Sequence, residues 1–374
     1  MRILLVTPRY SLSGVPLAQI RLAKGLSSIG HEVKLLIGHV NEGFTMPSID
    51  NVNVQLLGKK RAYQMLLGTI KSVNEFKPDI LFSAEDHLNI IVMLASFFFK
   101  NKVKISCSSR VTPFDTYSNN LFTKRWVLKL LMRFFMNRAD VLSCVSKDMV
   151  YQYKDIFKNS RHIDIYNIVQ PSSENISLIS SDKSWIEDAS KIILGVGMLA
   201  HWKGFEDLIR AFDLIPREKN YKLLILGDGP LRNKLNILIK ELNLTKKVYL
   251  KGNVSNTSPY YKVADLFVLS SYVEGLPNVL VEALSYGCTC VATNCQTGPR
   301  EVLSDGLYGY LTPVGNVKEL SKTILKAIDN PISIHKTMKA VEPFTLKNVL
   351  ESHRKSLKIE RNKFYNVKKT KNRT

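Results

Sequence analysis

The chain has 374 residues, 45% of them apolar and 23% charged, with five cysteines and a formal net charge of +21. These proportions belong to globular proteins and exclude a disordered, fibrous or disulfide-stapled chain, while the length favours two α/β domains. The charge is uneven: residues 1–169 carry 23 Lys/Arg against 12 Asp/Glu, residues 170–352 carry 21 against 19, and the stretch from His353 carries 9 against 1. A basic surface that would seek phosphate therefore belongs to one half and the tail.

In chain order, the opening residues run straight into an apolar strand and lack a signal-peptide cleavage pattern. Strand-like runs at Ile3–Val6, Val33–Ile37, Val52–Leu57, Asp79–Phe82, Val103–Cys107 and Val141–Val145 alternate with helix-length amphipathic stretches such as Leu17–Ile29, which Gly30 closes as a C-terminal cap. The runs lack polar alternation, as parallel strands covered on both faces do. The most lipid-like stretch, Asn89–Phe99, falls short of the about 20 residues that span a bilayer. Residues 170–190, rich in Ser and Asn and including Pro171, predict a linker. The pattern then resumes with Lys191–Val196, Tyr221–Leu226, Lys247–Leu250, Leu266–Leu269 and Thr289–Ala292. The last periodic segment, 346–364, predicts a helix that crosses back, followed by a basic tail, 365–374. The expected architecture is two Rossmann-like, doubly wound parallel-sheet domains, 1–169 and 191–345, facing a cleft, with chemistry on the loops that follow strands. Cys107, Cys144, Cys288, Cys290 and Cys295 lie mostly in apolar runs without a repeated C-x-x-C pair, which predicts neither structural zinc nor disulfides and points to a reducing compartment.

The richest stretch runs from Ser270 to Glu282, after a buried strand and into a helix. Pro277 suits a first helical turn, whose free N–H groups and dipole form an anion site. Asn278 and Glu282 share a helix face, and Glu274 precedes the helix, free to project into the cleft. The plain alternative makes both glutamates solvated surface charges. A second loop, Gly195 to Phe205, ends a strand in small residues, with Gly197 allowing close backbone approach and Lys203 able to hold phosphate as a point charge, unless it merely faces solvent. A third, Gly227 to Pro230, reads equally as a tight turn or a ligand contact.

The spacing from Glu274 to Glu282 resembles the E-x7-E signature of the group 4 family of retaining GT-B glycosyltransferases. Gly195–Phe212, Leu223–Pro230 and Ala264–Ser271 fit the same pattern, and Ser13 to Pro16 and Gly30 to Val33 fit the family's N-terminal domain more loosely. The block Ala292–Glu301 is similar to the subset that uses UDP-hexoses or UDP-N-acetylhexosamines in capsule, lipopolysaccharide O-antigen or lipid-linked glycan assembly. The resemblance implies that Glu274 meets donor-sugar hydroxyls and Glu282 the ribose. Lys203, with the helix-start amides near Gly275, Leu276, Pro277, Asn278 and Val279, would neutralise the diphosphate. Backbone at Gly252, Asn253 and Val254 would read the uracil, and Gly14 would let its loop close over the diphosphate. No D-x-D stretch occurs, so lysine and helix dipole are expected to replace a metal, and no cofactor beyond the UDP-sugar substrate is expected. Three positions depart from the pattern. Met198 stands where the family commonly has Arg, shifting weight to Lys203 or to an arginine such as Arg300. The glycine-rich loop is reduced to Gly14. Arg110 stands near the family histidine, either beside the donor sugar or as an ion-paired loop residue. His31, His87 and His201 read as structural. The acceptor side falls to residues 1–169, and transfer would keep the α configuration by same-face displacement.

Residues 122–138 interleave Lys124, Arg125, Lys129, Arg133 and Arg138 with Trp126, Phe134 and Phe135, a pattern that suits either a core helix with a solvated basic edge or a segment at an anionic lipid interface. The tail offers further headgroup attraction. The expected acceptor is a membrane-associated glycan, and the expected location is cytoplasmic, on the inner face of the membrane. Nucleic-acid binding is disfavoured by the balanced C-terminal half and the lack of a known module, and a nicotinamide enzyme by the missing G-x-G-x-x-G after the first strand. A sugar-nucleotide epimerase remains the alternative enzyme, and a basic peripheral membrane protein the alternative binder.

Overall fold

The computed structural model describes residues 1–11, 14–171 and 177–365. The chain forms two compact units, one from Met1–Ile168 together with the segment beginning at Leu346, the other from Val169–Thr345. The basic tail and Ser13 lie outside the described residues, Tyr365 excepted.

The first unit holds a seven-stranded sheet: β1 (Arg2–Tyr10), β2 (Glu32–Val40), β3 (Val52–Leu56), β4 (Ile80–Ala84), β5 (Lys104–Ser109), β6 (Val141–Cys144) and β7 (His162–Asp164), in the order β3-β2-β1-β4-β5-β6-β7. The second holds six strands: β8 (Lys191–Val196), β9 (Tyr221–Leu226), β10 (Val248–Gly252), β11 (Leu266–Leu269), β12 (Thr289–Thr293) and β13 (Tyr310–Thr312), in the order β10-β9-β8-β11-β12-β13. Every pairing between these strands is parallel. Both sheets are therefore Rossmann-like, as the apolar runs predict. In each, the strand order reverses between the first and fourth strands, where ligands of such sheets collect beyond the carboxyl ends. Central strands are buried on both faces; Ile3, Leu4, Leu5 and Val6 of β1 have no exposed surface.

Two stretches depart from expectation. Within the predicted linker, Ser180–Glu187 forms a helix on the second unit. Its buried Asp182 accepts from Lys251 Nζ at 2.7 Å and from Tyr260 Oη at 2.6 Å, and Trp185 packs on Tyr249. The segment predicted as one crossover helix is two, Leu346–Ser356 and Arg361–Phe364, broken where Lys358 takes a positive φ of 49°. Val349, Leu350, Leu357, Ile359 and Phe364 enter the core of the first unit beside Ile3, Leu5, Leu22 and Leu26. Burial at about 1.5–3 kcal/mol for each such side chain makes this segment a constituent of that unit.

In the helix Lys124–Phe135 only Met132 is buried, whereas Val127, Leu130, Leu131 and Phe134 are exposed, as is Phe122 just before it, so it is not the core helix that one sequence reading offered. Thr123 caps it, Oγ1 accepting from Trp126 N at 3.2 Å, and Arg125 ties it down by donating to the Tyr117 carbonyl at 2.9 Å. Among the described residues no helix is long and apolar enough to cross a membrane. All five cysteines are buried and unpaired, and burial pushes the Cys288 and Cys295 thiols up to about 12.

His31, His162 and His353 are buried, all in the first unit. Burial holds the imidazoles of His31 and His162 down at about 4 and that of His353 at about 3, with the N-terminal ammonium adding to the effect on His31 and Arg110 to that on His353. Between the ordinary histidine value of 6.5 and these lowered values the unfolded chain binds more protons than the folded one. The stabilisation is complete above that range and is lost as pH falls through it. Because His201 and His335 of the second unit are exposed, amide exchange at pH 5 relative to pH 7 is expected to lose protection first in the first unit. Equal acid sensitivity of the two units would contradict this.

Candidate active site

The site of the second unit is built where β8 and β11 part. After β8 the chain makes a short 3-10 turn, His201–Lys203, and Gly204, with φ +63°, starts the helix Phe205–Asp213. A Cβ on Gly204 would lie 2.0 Å from the Ser270 carbonyl oxygen at the end of β11, so only glycine lets the two loops touch. Ser270 Oγ donates to the Lys203 carbonyl at 2.9 Å, fixing the lysine against β11.

Lys203 Nζ donates to Glu274 Oε1 at 2.6 Å, and Ser271 Oγ donates to the same oxygen at 2.6 Å. The side chains of Lys203 and Glu274 are 19% and 9% exposed. Thr297 Oγ1 donates to the Glu274 carbonyl. Glu274 is thus not the freely projecting residue expected before the helix. A carboxylate this deep is tolerated because a cation and a hydroxyl meet it. Beside the pair, Tyr272 donates to Asp207 at 2.6 Å; burial, helped by that bond, raises the phenol to about 12, and its ring stacks on His201.

The helix Asn278–Ser285 is capped by Pro277, which sits one residue before the first turn. Gly298, at φ +94°, closes over this entry: a Cβ there would meet Pro277 Cδ at 2.6 Å and the Gly275 carbonyl oxygen at 3.0 Å. Gly275, Asn278 and Val279 are half-buried, and Leu276 is buried. Glu282, one turn along, accepts from Tyr261 Oη at 3.2 Å; the same hydroxyl lies 3.3 Å from the Val279 carbonyl, and the Tyr261 ring stacks on Tyr286.

The third loop packs on the second. Gly227, at φ +127°, would place a Cβ 1.9 Å from the Gly197 carbonyl oxygen, and Leu199 N donates to the Asp228 carbonyl at 3.0 Å. Pro230 precedes the helix Arg232–Glu241 by two residues rather than starting it. Arg232, not singled out in the sequence analysis, binds Asp228 at 2.8 Å, donates to the Leu250 carbonyl at 3.2 Å and lies against Gly252. Its guanidinium holds the Asp228 carboxyl below the usual carboxylate range. Asn253 is exposed and Val254 half-buried just beyond it. Met198 is exposed, and Arg300 pairs with Asp305 at 2.5 Å.

The second unit therefore brings together Lys203, Glu274, the loops carrying Gly197 and Pro277, and the helix carrying Glu282. Arg110 and Gly14 belong to the first unit. Arg110 follows β5, donates to Asn167 Oδ1 and keeps a buried Nε without a hydrogen bond; burial lowers its guanidinium to about 10. Gly14 opens the helix Gly14–Ser28. Among the described residues no group of three or more His, Cys, Asp or Glu side chains is placed to hold a metal ion.

Residues 179–342 match the family Glycosyl transferases group 1. Over that stretch the second unit is similar to the group 1 glycosyl transferases, and the two parallel sheets are those of a GT-B fold. The chain is 33% identical over 255 residues to an uncharacterized glycosyltransferase of Methanocaldococcus jannaschii, an alignment covering 65% of this chain and 61% of the relative. It is 34% identical over 238 residues, 61% of each chain, to the Campylobacter jejuni N-acetylgalactosamine-N,N'-diacetylbacillosaminyl-diphospho-undecaprenol 4-alpha-N-acetylgalactosaminyltransferase. The chain thus spans about three fifths of the length of these two relatives. In fold it is similar to Anabaena Alr3699/HepE, solved in complex with UDP and glucose, with a TM-score of 0.76 at 19% identity over 96% of this chain and 99% of that one.

Proposed function

We propose that the protein is a retaining glycosyltransferase that moves a hexose or N-acetylhexosamine from a UDP-sugar to a lipid-linked or other membrane-associated glycan acceptor, forming an α-glycosidic bond. The observation that carries this reading is the Lys203–Glu274 pair at the reversal between β8 and β11. An arriving diphosphate offers Lys203 a stronger anion than the carboxylate, so Nζ turns to phosphate and Glu274 is released to accept from the donor-sugar hydroxyls. The first-turn amides of the helix Asn278–Ser285 add fixed positive potential where the leaving diphosphate gains charge; one such contact is worth about 10²–10³ in rate. Glu282, already aligned by Tyr261, accepts from the ribose, and backbone at Asn253 and Val254 reads the base. Gly197 gives the diphosphate room, and Gly14 lets its own loop close over it. No metal enters this proposal. The acceptor oxygen bonds to the anomeric carbon on the face from which the phosphate oxygen departs, and that oxygen takes the acceptor proton. Arg110 is the residue of the first unit assigned to the reacting sugar.

The name of the Campylobacter relative specifies a diphospho-undecaprenol acceptor, and the Anabaena protein holds UDP and glucose. The exposed Phe122, Leu130, Leu131 and Phe134, set among five basic residues, suit an anionic membrane surface, where apolar burial and headgroup attraction add. In this reading the enzyme works on the cytoplasmic face of the membrane that carries its acceptor.

The test is nucleotide release from UDP-, GDP- and ADP-sugars, with and without anionic vesicles carrying a lipid-linked saccharide. Release of UDP from one donor, stimulated by the vesicles, is expected, with the stimulation lost in the double variant Phe122→Ser/Phe134→Ser. Release of a different nucleotide, or epimerised sugar without transfer, would replace this reading. Equal stimulation of the double variant would remove the membrane role of that helix.

A further inference from the structure

The first unit carries a charge arrangement that repeats that of the second. In the second unit a cation after the first strand of the sheet meets a carboxylate after the fourth, Lys203 with Glu274. In the first unit Arg9, near the end of β1, meets Glu85, immediately after β4, with 3.2 Å between Nη2 and Oε1. Arg110 follows the adjacent β5 and supplies a second positive charge to Glu85. These groups stand at the reversal of strand order, beyond the carboxyl ends, where an open parallel sheet receives ligands.

Glu85 is held there at a cost. Its φ is +77° with ψ 129°, outside the left-handed helical region that Lys77 and Asn220 occupy with ψ of 59° and 39°. Such a backbone suits glycine and strains a larger residue. Its side chain is only 15% exposed. Oε1 is buried and, among the described residues, accepts no hydrogen bond of good geometry. Burial consequently raises the carboxyl above its ordinary value, against the pull of Arg9, His87 and Arg110.

The neighbouring acid does the structural work. Asp86 is buried and accepts from Ser109 Oγ at 2.6 Å, from Tyr153 Oη and from Asn89 Nδ2 at 3.4 Å, tying the start of the helix Asp86–Ala95 to β5. Glu85 N donates to the Ser108 carbonyl at 3.0 Å, so the strained backbone is locked from both sides. A strained backbone and an under-bonded buried carboxylate have no structural return at position 85, since a glycine would keep the backbone bond and relieve the strain. What a glycine would lose is a carboxylate paired with Arg9 and able to accept from two hydroxyls at once.

We propose that Arg9 and Glu85 form the acceptor subsite, in which Glu85 accepts hydrogen bonds from hydroxyls of the acceptor sugar and Arg9 holds the carboxylate toward them. This rests on the glycosyltransferase reading above.

The full chain and its Glu85→Gly and Glu85→Gln variants are compared in three measurements: melting temperature, UDP affinity by calorimetry, and transfer against acceptor concentration. Glu85→Gly is expected to melt no lower than wild type and to bind UDP as wild type does, while its acceptor kcat/KM falls by about 100-fold, the scale of losing a hydrogen bond to a charged group. Glu85→Gln is expected to fall similarly at unchanged charge-independent shape. Acceptor kcat/KM within threefold of wild type in both variants would overturn the subsite, and so would a loss of melting temperature and UDP binding in step with transfer, which marks a structural residue. If the wild type transfers nothing, the glycosyltransferase reading fails by itself. Saturation-transfer NMR with octyl N-acetyl-α-galactosaminide then reads the subsite directly: signal in wild type and none in Glu85→Gly supports it, and equal signal or none in wild type overturns it.

Discussion

Glu274→Gln is expected to lower transfer by about three orders of magnitude while leaving the protein folded, because it removes a charge at the reacting sugar and keeps the shape around it. The amide oxygen of the variant can still accept from Lys203 and Ser271, which meet Oε1 at 2.6 Å each in the native pair. The converse change is less informative: Lys203→Ala leaves a nearly buried carboxylate unpaired, a loss of about 3–5 kcal/mol that confounds chemistry with folding. UDP release with acceptor, a melting curve and UDP affinity check the prediction together. Turnover near that of wild type would overturn the role assigned to Glu274.

Gly204→Ala is expected to damage both stability and activity, through backbone rather than chemistry. The added Cβ would sit 2.0 Å from the Ser270 carbonyl oxygen and 3.0 Å from its carbon, at a φ of +63°. The β8 loop must retreat, which breaks the Ser270–Lys203 bond and draws Nζ from Glu274. Overpacking of rigid backbone costs about 1–3 kcal/mol, and the left-handed conformation adds about 1 kcal/mol. Gly43→Ala is the comparison, since φ is +80° there and nothing lies within 4 Å of a Cβ; it carries only the conformational part. Urea denaturation of the two variants separates the contributions, and equal stability would contradict the steric account.

The sheets were legible because their strands are buried on both faces. Lys191–Val196 and Tyr221–Leu226 stand residue for residue where apolar runs place them. The three-residue β7 and β13 were not, since edge strands that short carry no period. The helix Ser180–Glu187 was hidden for another reason: it is held by Asp182 reaching Lys251 and Tyr260, partners distant in sequence, and not by an apolar stripe. The same division runs through the site. Glu274, Pro277 and Glu282 lie within one local pattern and could be read from it. The roles of Ser271, Tyr261 and Arg232 in orienting those residues depend on contacts that only the folded chain makes. The strain at Glu85 leaves no trace in the residue order, because a positive φ at a glutamate is imposed by its surroundings.

The second unit is an insertion between Ile168 and Leu346 of the first, and its own ends are tied, Val169 N donating to the Phe344 carbonyl at 3.0 Å. While the second unit is unfolded, docking the helix Leu346–Ser356 onto β1 must close a very long loop, with the entropy that entails. Once it has folded, the two crossing points of the chain are neighbours and the loop is effectively short. The order of assembly is thereby biased toward the inserted half forming before the first unit completes its core. A substitution that slows folding of the second unit delays the first through connectivity alone.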